Sequence, residues 1–544
     1  MKGPRGALFL LIGLVLISTG RSLGNGFAFD DVPIILENAE VHAFSPPWVY
    51  AQQSYWPPEN LGDAYRPWTV WWFAIQWAMS GGAPWVFHLV NLILTAAVTL
   101  VVYGLALELI PALGAVAAAA LFAVHPVHVE ATGNVVGQAE LWMTLFTVAG
   151  ALVYVRARRR GPLGPIPRWT LVALVILASA SKEQGIILPG LLGLVELLMF
   201  PGIAWRDRLR TVGPTFGVLT LTAVVFLIGR YGVLGDLGGG PPAAGLEGLG
   251  LAGRTRVMLP IVFDWARLLL WPVHLSAQYS PPAYGGNAGL TRVVIGGAVA
   301  AGAGIVGWRS RRRAPALALG LCWIGLGILP VSNILFPTGV LIAERTLLLP
   351  SVGVVLLLGT RHSAFGARRS ALGGGWLGWV GWGGVGLLVG LGAARSFARQ
   401  AVWRDGPSLF AQTIVDQPDG YRGLFLYGRE LARQRQPDRA AAMFERAGSL
   451  YGGDPRVFED WGQILRGKKQ CAAAIPIFER GVAAAPTGTV ARSRLFECLM
   501  GEHRFREAVV VARTGVGLGS TEFSPNLARA ERALVTDRSE RRAP

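Results

Sequence analysis

The chain has 544 residues, of which 52% are hydrophobic and only 15% charged. A soluble protein of this length could not hide so much apolar surface, so the composition excludes an ordinary soluble globule and points to a polytopic membrane protein. The net charge of +17 is not a nucleic-acid signal, because the basic residues stand in short runs between apolar segments: Arg156 to Arg160, Arg206 to Arg210, Arg309 to Arg313 and Arg361 to Arg369. Cytoplasmic loops of membrane proteins carry that pattern. Arg far outnumbers Lys, and Gly and Ala abound, as in proteins from GC-rich bacteria.

Lys2 and Arg5 precede the apolar run Leu8 to Ser18, read as an uncleaved anchor with its N-terminus inside. The chain then stays outside from Asp30-Asp31 to about Pro67. Trp68 to Ala78 is aromatic and too short to span, so it is placed along the membrane interface. Further spans are expected near 83–107, 111–126, 139–156, 169–181, 184–199, 212–230, 292–308, 315–330, 346–360 and 374–394. With the anchor this makes about eleven, which puts the four basic runs on the cytoplasmic side and the C-terminal tail outside. Segment 257–271 is then an interfacial or re-entrant helix. After Arg395 the composition turns soluble and helical. Gly428, Ala440 and Phe444 recur 34 residues later as Gly462, Ala474 and Phe478, and Ala508 keeps the phase in a third, degenerate unit. That is the tetratricopeptide pattern, whose units must stack to bury their apolar faces. The expected architecture is all-α: a polytopic membrane domain over 1–395, a tetratricopeptide-repeat solenoid over 396–535 and a disordered tail over 536–544. Cys471 and Cys498 in the tail are either free thiols or, in an oxidising compartment, a disulfide.

The polar residues that membrane insertion does not explain collect in the outer loops. Asp30 and Asp31 are adjacent carboxylates beside a span. They repel, so one is a candidate base near neutral pH; the alternative is a helix N-cap pair. Arg66 in Tyr65-Arg66-Pro67 suits a carboxylate or a phosphate, or else snorkels at the interface. His125, His128 and Glu130 end a span; their spacing is not that of a helical zinc site, so hydrogen bonding to phosphate or sugar is preferred over a metal. Gln138 and Glu140 start the next span and face the same cavity. Lys182, beside Glu183, and Arg345, beside Glu344, are further phosphate ligands or structural ion pairs. A carboxylate base among several cations fits transfer of a sugar from a lipid phosphate, with the cations stabilising the departing phosphate. No Gly-rich phosphate loop supports a nucleotide-sugar donor.

Phe29-Asp30-Asp31 with Asn38 and Val41, Tyr65-Arg66-Pro67, Phe87-His88-Leu89-Val90-Asn91, Phe122 to Glu130 and Ala180-Ser181-Lys182-Glu183 resemble the transmembrane and tetratricopeptide-repeat O-mannosyltransferase family. So do Tyr279-Ser280-Pro281-Pro282, Ala343-Glu344-Arg345 and Trp403-Arg404-Asp405. The resemblance implies a GT-C fold, a polyprenyl-phosphate sugar donor, mannose as the typical sugar, and a protein acceptor met by the repeats. It places the catalytic acids at Asp30 and Asp31, with Asp31 favoured as base, and donor-phosphate contacts at Arg66, Lys182 and Arg345. Gln138 departs from it, standing where a basic residue is expected. The whole reads as an inverting glycosyltransferase of the bacterial inner membrane, working on the extracytoplasmic face, with no metal site assigned and metal dependence left open. The alternative is a non-catalytic, membrane-anchored scaffold whose repeats hold envelope proteins. A transporter would want its ionisable groups near mid-membrane.

Overall fold

The computed structural model describes residues 4–57, 64–237, 240–283, 289–371 and 376–540, with side chains described except at 4, 360–381 and 538–540. Residues 541–544 of the expected tail and the side chains of the Arg361 to Arg369 run lie outside these. Helices form nearly all the regular structure; the described residues hold one isolated bridge, between Pro282 and Gly420. The chain divides into two compact units. The first comprises 1–277 and 287–409, the second 278–286 and 410–544.

In the first unit, helices stand where the apolar runs foretell them. Pro84–Leu109 shows why. Its 26 residues are almost wholly apolar, Pro84 fits the first turn where no N–H bond is needed, and the helix stops at Ile110, before Pro111. Among the described residues five helices, the first running Arg5–Gly24, are long and apolar enough to cross a membrane. The pair Ala112–Ala123 and Pro126–Gly133, bent by 46° at the break, makes a sixth if the two helices cross as one broken span. The expected eleven exceeds this because Pro165–Ser181, Leu188–Met199 and Pro315–Ile328 fall below the ~20 residues a perpendicular crossing needs. The last two expected spans form helices Leu348–Ala371 and Trp376–Gln400, each partly outside the described side chains. The expected interfacial segment becomes two short helices, Leu251–Met258 and Ile261–Leu270.

Small residues let these helices approach closely. A Cβ added at Gly320 would lie 2.7 Å from the Gly353 carbonyl oxygen, so Pro315–Ile328 and Leu348–Ala371 meet backbone to backbone. The bundle has two chemically different ends. Helix Gln138–Arg159 begins with Gln138 and Glu140 and ends in Arg156, Arg158 and Arg159, roughly 24 Å away at 1.5 Å per residue. At the basic end the buried Glu196 accepts from Tyr154 Oη (2.8 Å) and pairs with Arg158 (3.1 Å) and Arg208 (2.9 Å).

The second unit is a stack of helical hairpins: Tyr421–Arg433 with Pro437–Leu450, Pro455–Gly467 with Cys471–Ala484, and Val490–Gly501 with Phe505–Gly517. Phe523–Glu540 closes it, so residues 536–540 of the expected disordered tail are helical. Arg435, Lys469 and His503 take the left-handed conformation (φ +59°, +61° and +57°), one at each hairpin turn and spaced by the 34-residue period. Cys471 and Cys498 are neighbouring thiols, their sulfurs 2.6 Å apart. A Cβ on Gly462 would lie 2.5 Å from Phe478 Cε1, so the recurring glycine exists to admit the recurring phenylalanine. Gly462→Ala is therefore expected to destabilise the repeats by about 1–3 kcal/mol through overpacking. Thermal unfolding followed by circular dichroism checks this; an unchanged midpoint would contradict it.

Candidate active site

The site lies in the first unit, at the end of the bundle away from the basic helix termini. It begins where Phe29 takes a left-handed backbone conformation (φ +54°), an uncommon one for a bulky residue. The turn sends the next two side chains different ways. Asp31 goes inward. It is fully buried, and its oxygens accept from the backbone N–H groups of Val136 (2.8 Å), Ala28 (3.1 Å) and Val135 (3.2 Å). Val135 and Val136 open the span Val135–Arg159, so Asp31 caps its N-terminus from a distant part of the chain. Burial pushes its carboxyl up to about 7, with the three N–H donors pulling the other way. That value would suit a base, but geometry comes first: both oxygens of this carboxyl are already held by backbone N–H groups.

Asp30 faces the other way. Its side chain keeps 14% of its surface open and meets Arg345 Nη1 at 3.4 Å. Arg345 gathers three carboxylates: Glu130 at 3.0 Å, Asp30, and Glu140 at 3.4 Å. Its own backbone N–H also donates to Glu130 (3.0 Å). Burial works against the guanidinium charge, but Glu130, Asp30 and Glu140 outweigh it and hold Arg345 above its ordinary range. Glu140 also takes Lys182 Nζ, at 2.5 Å. Burial pulls the Lys182 ammonium below its usual value, with Glu140 resisting. Arg66 pairs with Glu183 (3.1 Å), whose other oxygen accepts from the Tyr65 N–H (2.7 Å). Asp30, Glu130 and Glu140 with Lys182 and Arg345 thus form one connected set, and the Arg66–Glu183 pair lies close enough for the Arg66 charge to act on Glu140 and Lys182. Residues from five distant stretches converge there. Such an arrangement can take a proton at Asp30 and stabilise an incoming anion with the three cations.

Three sequence-derived expectations are corrected. His125 and His128 do not join the cluster. His125 Nε2 reaches the Leu269 carbonyl (3.0 Å) while Nδ1 accepts from Val127 N–H (3.3 Å), and His128 Nε2 meets Ser351 Oγ (2.8 Å). The bend after Ala123 turns both imidazoles into packing and sends only Glu130 to the site. Gln138 does not face the cavity either: it exchanges amide hydrogen bonds with Gln76 (2.9 and 3.0 Å) and is fully buried. Asp31, favoured as base, is the cap described above. The neighbours in sequence also proved not to be partners. Lys182 pairs with Glu140 rather than Glu183, and Glu344 accepts from Ser276 N–H (2.6 Å). Sequence reasoning missed Tyr55 altogether: its ring lies under the Arg66 guanidinium, 4.5 Å from centroid to Cζ. Nothing in Ser54-Tyr55-Trp56 signals that position. Among the described residues no group of three or more His, Cys, Asp or Glu side chains is arranged to hold a metal ion.

No protein-family model matches the chain. Curated relatives do. The human protein O-mannosyl-transferase TMTC3 is 29% identical over 386 residues, covering 64% of this chain and 41% of the relative. A protein O-mannosyl-transferase of Caenorhabditis elegans is 30% identical over 368 residues, covering 64% of this chain and 50% of the relative. Among solved structures, an oligosaccharyltransferase of Archaeoglobus fulgidus aligns over 82% of this chain and 59% of its own, at 16% identity and a TM-score of 0.40. This chain thus spans half or less of the length of the curated relatives it matches here, and those relatives carry the name protein O-mannosyl-transferase.

Proposed function

We propose that the chain is a GT-C-like membrane glycosyltransferase that moves a sugar, mannose by analogy with its relatives, from a polyprenyl-phosphate donor to a hydroxyl of a protein acceptor on the extracytoplasmic face. The observation that carries this reading is the pairing of a partly open carboxylate, Asp30, with Arg345 inside a cluster that also holds Lys182 and Arg66. Asp30 takes the proton of the acceptor hydroxyl as its oxygen bonds to the anomeric carbon. The bond from that carbon to the phosphate oxygen breaks from the opposite side, which inverts the centre. Polyprenyl phosphate leaves, and Arg345, Lys182 and Arg66 take up the charge that builds on it. Each of those cations already holds a carboxylate, so their positions are fixed before the donor arrives and little reorganisation is needed. The basic helix ends lie at the other end of the bundle, which supports an extracytoplasmic site by the charge asymmetry of membrane loops. The repeats of the second unit are the natural reader of a protein acceptor.

A donor panel tests the proposal. Purified protein in detergent is expected to use polyprenyl-phosphate mannose and to ignore guanosine diphosphate mannose. Use of the nucleotide sugar without lipid would count against it. A scaffold without catalytic function would use neither.

A further inference from the structure

Tyr55 is 2% exposed, and its hydroxyl oxygen is buried without a hydrogen-bond partner among the described residues. Unmade hydrogen bonds at buried positions are costly, and each one in a native structure calls for a reason. Contacts on several sides hold this phenol in place. Its backbone N–H donates to the Ala64 carbonyl (2.8 Å), Trp56 meets its ring edge-on at 6.1 Å, and Arg66 covers its face at 4.5 Å. The charges of Arg66, Glu140, Asp30 and Arg345 are all near enough to act on it. An apolar residue would fill the same space without an orphaned O–H.

We propose that the Tyr55 hydroxyl donates a hydrogen bond to a phosphate oxygen of the lipid-linked donor, making Tyr55 a phosphate-binding residue of the site. The assignment rests on the sugar-transfer reading above and names a contact which that reading does not require. The chemical argument is one of supply. Arg66, Lys182 and Arg345 each have a carboxylate to satisfy, so an incoming phosphate must share them. The phenol gives its proton to a ligand at no loss of an existing bond. Burial pushes its ionisation above the usual phenol range, so it stays a neutral donor at working pH. A neutral donor also adds no further positive charge, so the phosphate is released after transfer more readily than it would be from a fourth cation.

The test uses the full chain in detergent and the variant Tyr55→Phe, which keeps the ring beneath Arg66. Binding is read from the shift in melting temperature with polyprenyl phosphate and, separately, with inorganic phosphate; transfer is read from polyprenyl-phosphate mannose. The expected result is a roughly tenfold to hundredfold weaker response to polyprenyl phosphate, the size expected for one hydrogen bond to a charged group. Transfer kcat/KM should fall at least as much, with the unliganded melting temperature unchanged or raised, since the variant removes an unpaired buried hydroxyl. Binding of polyprenyl phosphate equal to wild type would overturn the assignment while leaving the transfer reading intact. A loss confined to inorganic phosphate would assign a free-phosphate site and overturn the lipid contact. Wild-type protein that transfers no sugar, yet binds polyprenyl phosphate in a Tyr55-dependent way, would support the contact and count against the transfer reading. Wild-type protein that binds no polyprenyl phosphate would overturn the contact outright.

Discussion

Asp30→Asn is expected to lower sugar transfer by about 10³- to 10⁴-fold and to leave the melting temperature of the purified protein unchanged, whereas Asp31→Asn should do the reverse. The two residues are adjacent in sequence and opposite in consequence. Asp30 sits with part of its surface open beside Arg345, where a carboxylate can take a proton; its amide cannot, and loss of a general base costs up to about 10⁴ in rate. The amide keeps the size of the side chain and one acceptor oxygen, so the fold around Arg345 persists. Asp31 accepts three backbone N–H groups with both oxygens. An amide there points its own N–H groups at donors and strands at least one of them, at a cost of about 1–3 kcal/mol. The start of the Val135–Arg159 span, which carries Glu140, would loosen with it. Unfolding curves and turnover measured on both variants check the contrast. Equal turnover in Asp30→Asn and wild type would remove Asp30 from the chemistry.

The second large effect concerns Arg345. Arg345→Met should destabilise the protein by about 3–5 kcal/mol, because it leaves Glu130 and Glu140 buried without their counter-charge. The double variant Arg345→Met/Glu130→Gln removes one of the abandoned charges and should recover much of that loss, since the two residues are in direct contact and their effects will not add. Under the proposed mechanism neither variant should transfer sugar, as both lack the guanidinium assigned to the departing phosphate. Additive destabilisation in the double variant would show that the Glu130–Arg345 pair contributes little and that the cluster is held by other means.

The repeats were legible in the sequence because one spacing, 34 residues, governs both the close Gly–Phe contact and the hairpin turn. The helices of the first unit were legible because long apolar runs leave the backbone no other way to satisfy its hydrogen bonds in lipid. Their number as crossings was not, since a 12- or 17-residue apolar helix reads the same whether it spans or packs inside the bundle. The site was legible as a set of unusual polar residues on one side of the chain. Its wiring was not. Lys182 finds Glu140, 42 residues away, in preference to Glu183 beside it, and Arg345 finds partners at 30, 130 and 140. Two adjacent carboxylates beside a span marked a candidate base in the sequence; the left-handed turn at Phe29, which the sequence does not show, sends Asp31 inward and Asp30 to the open side. His125 and His128 were read as phosphate or sugar contacts because they end a span beside Glu130, but their nitrogens are taken by the Leu269 carbonyl, the Val127 N–H and Ser351 Oγ.

Transfer of labelled sugar from polyprenyl-phosphate mannose to protein by the purified full-length chain, run beside Asp30→Asn, tests the central claim most directly. Label should enter protein with the wild type, and none above background with the variant, with both preparations melting at the same temperature. Folded wild-type protein that labels no acceptor in a broad envelope-protein panel, or an Asp30→Asn variant that labels as well as wild type, would contradict it.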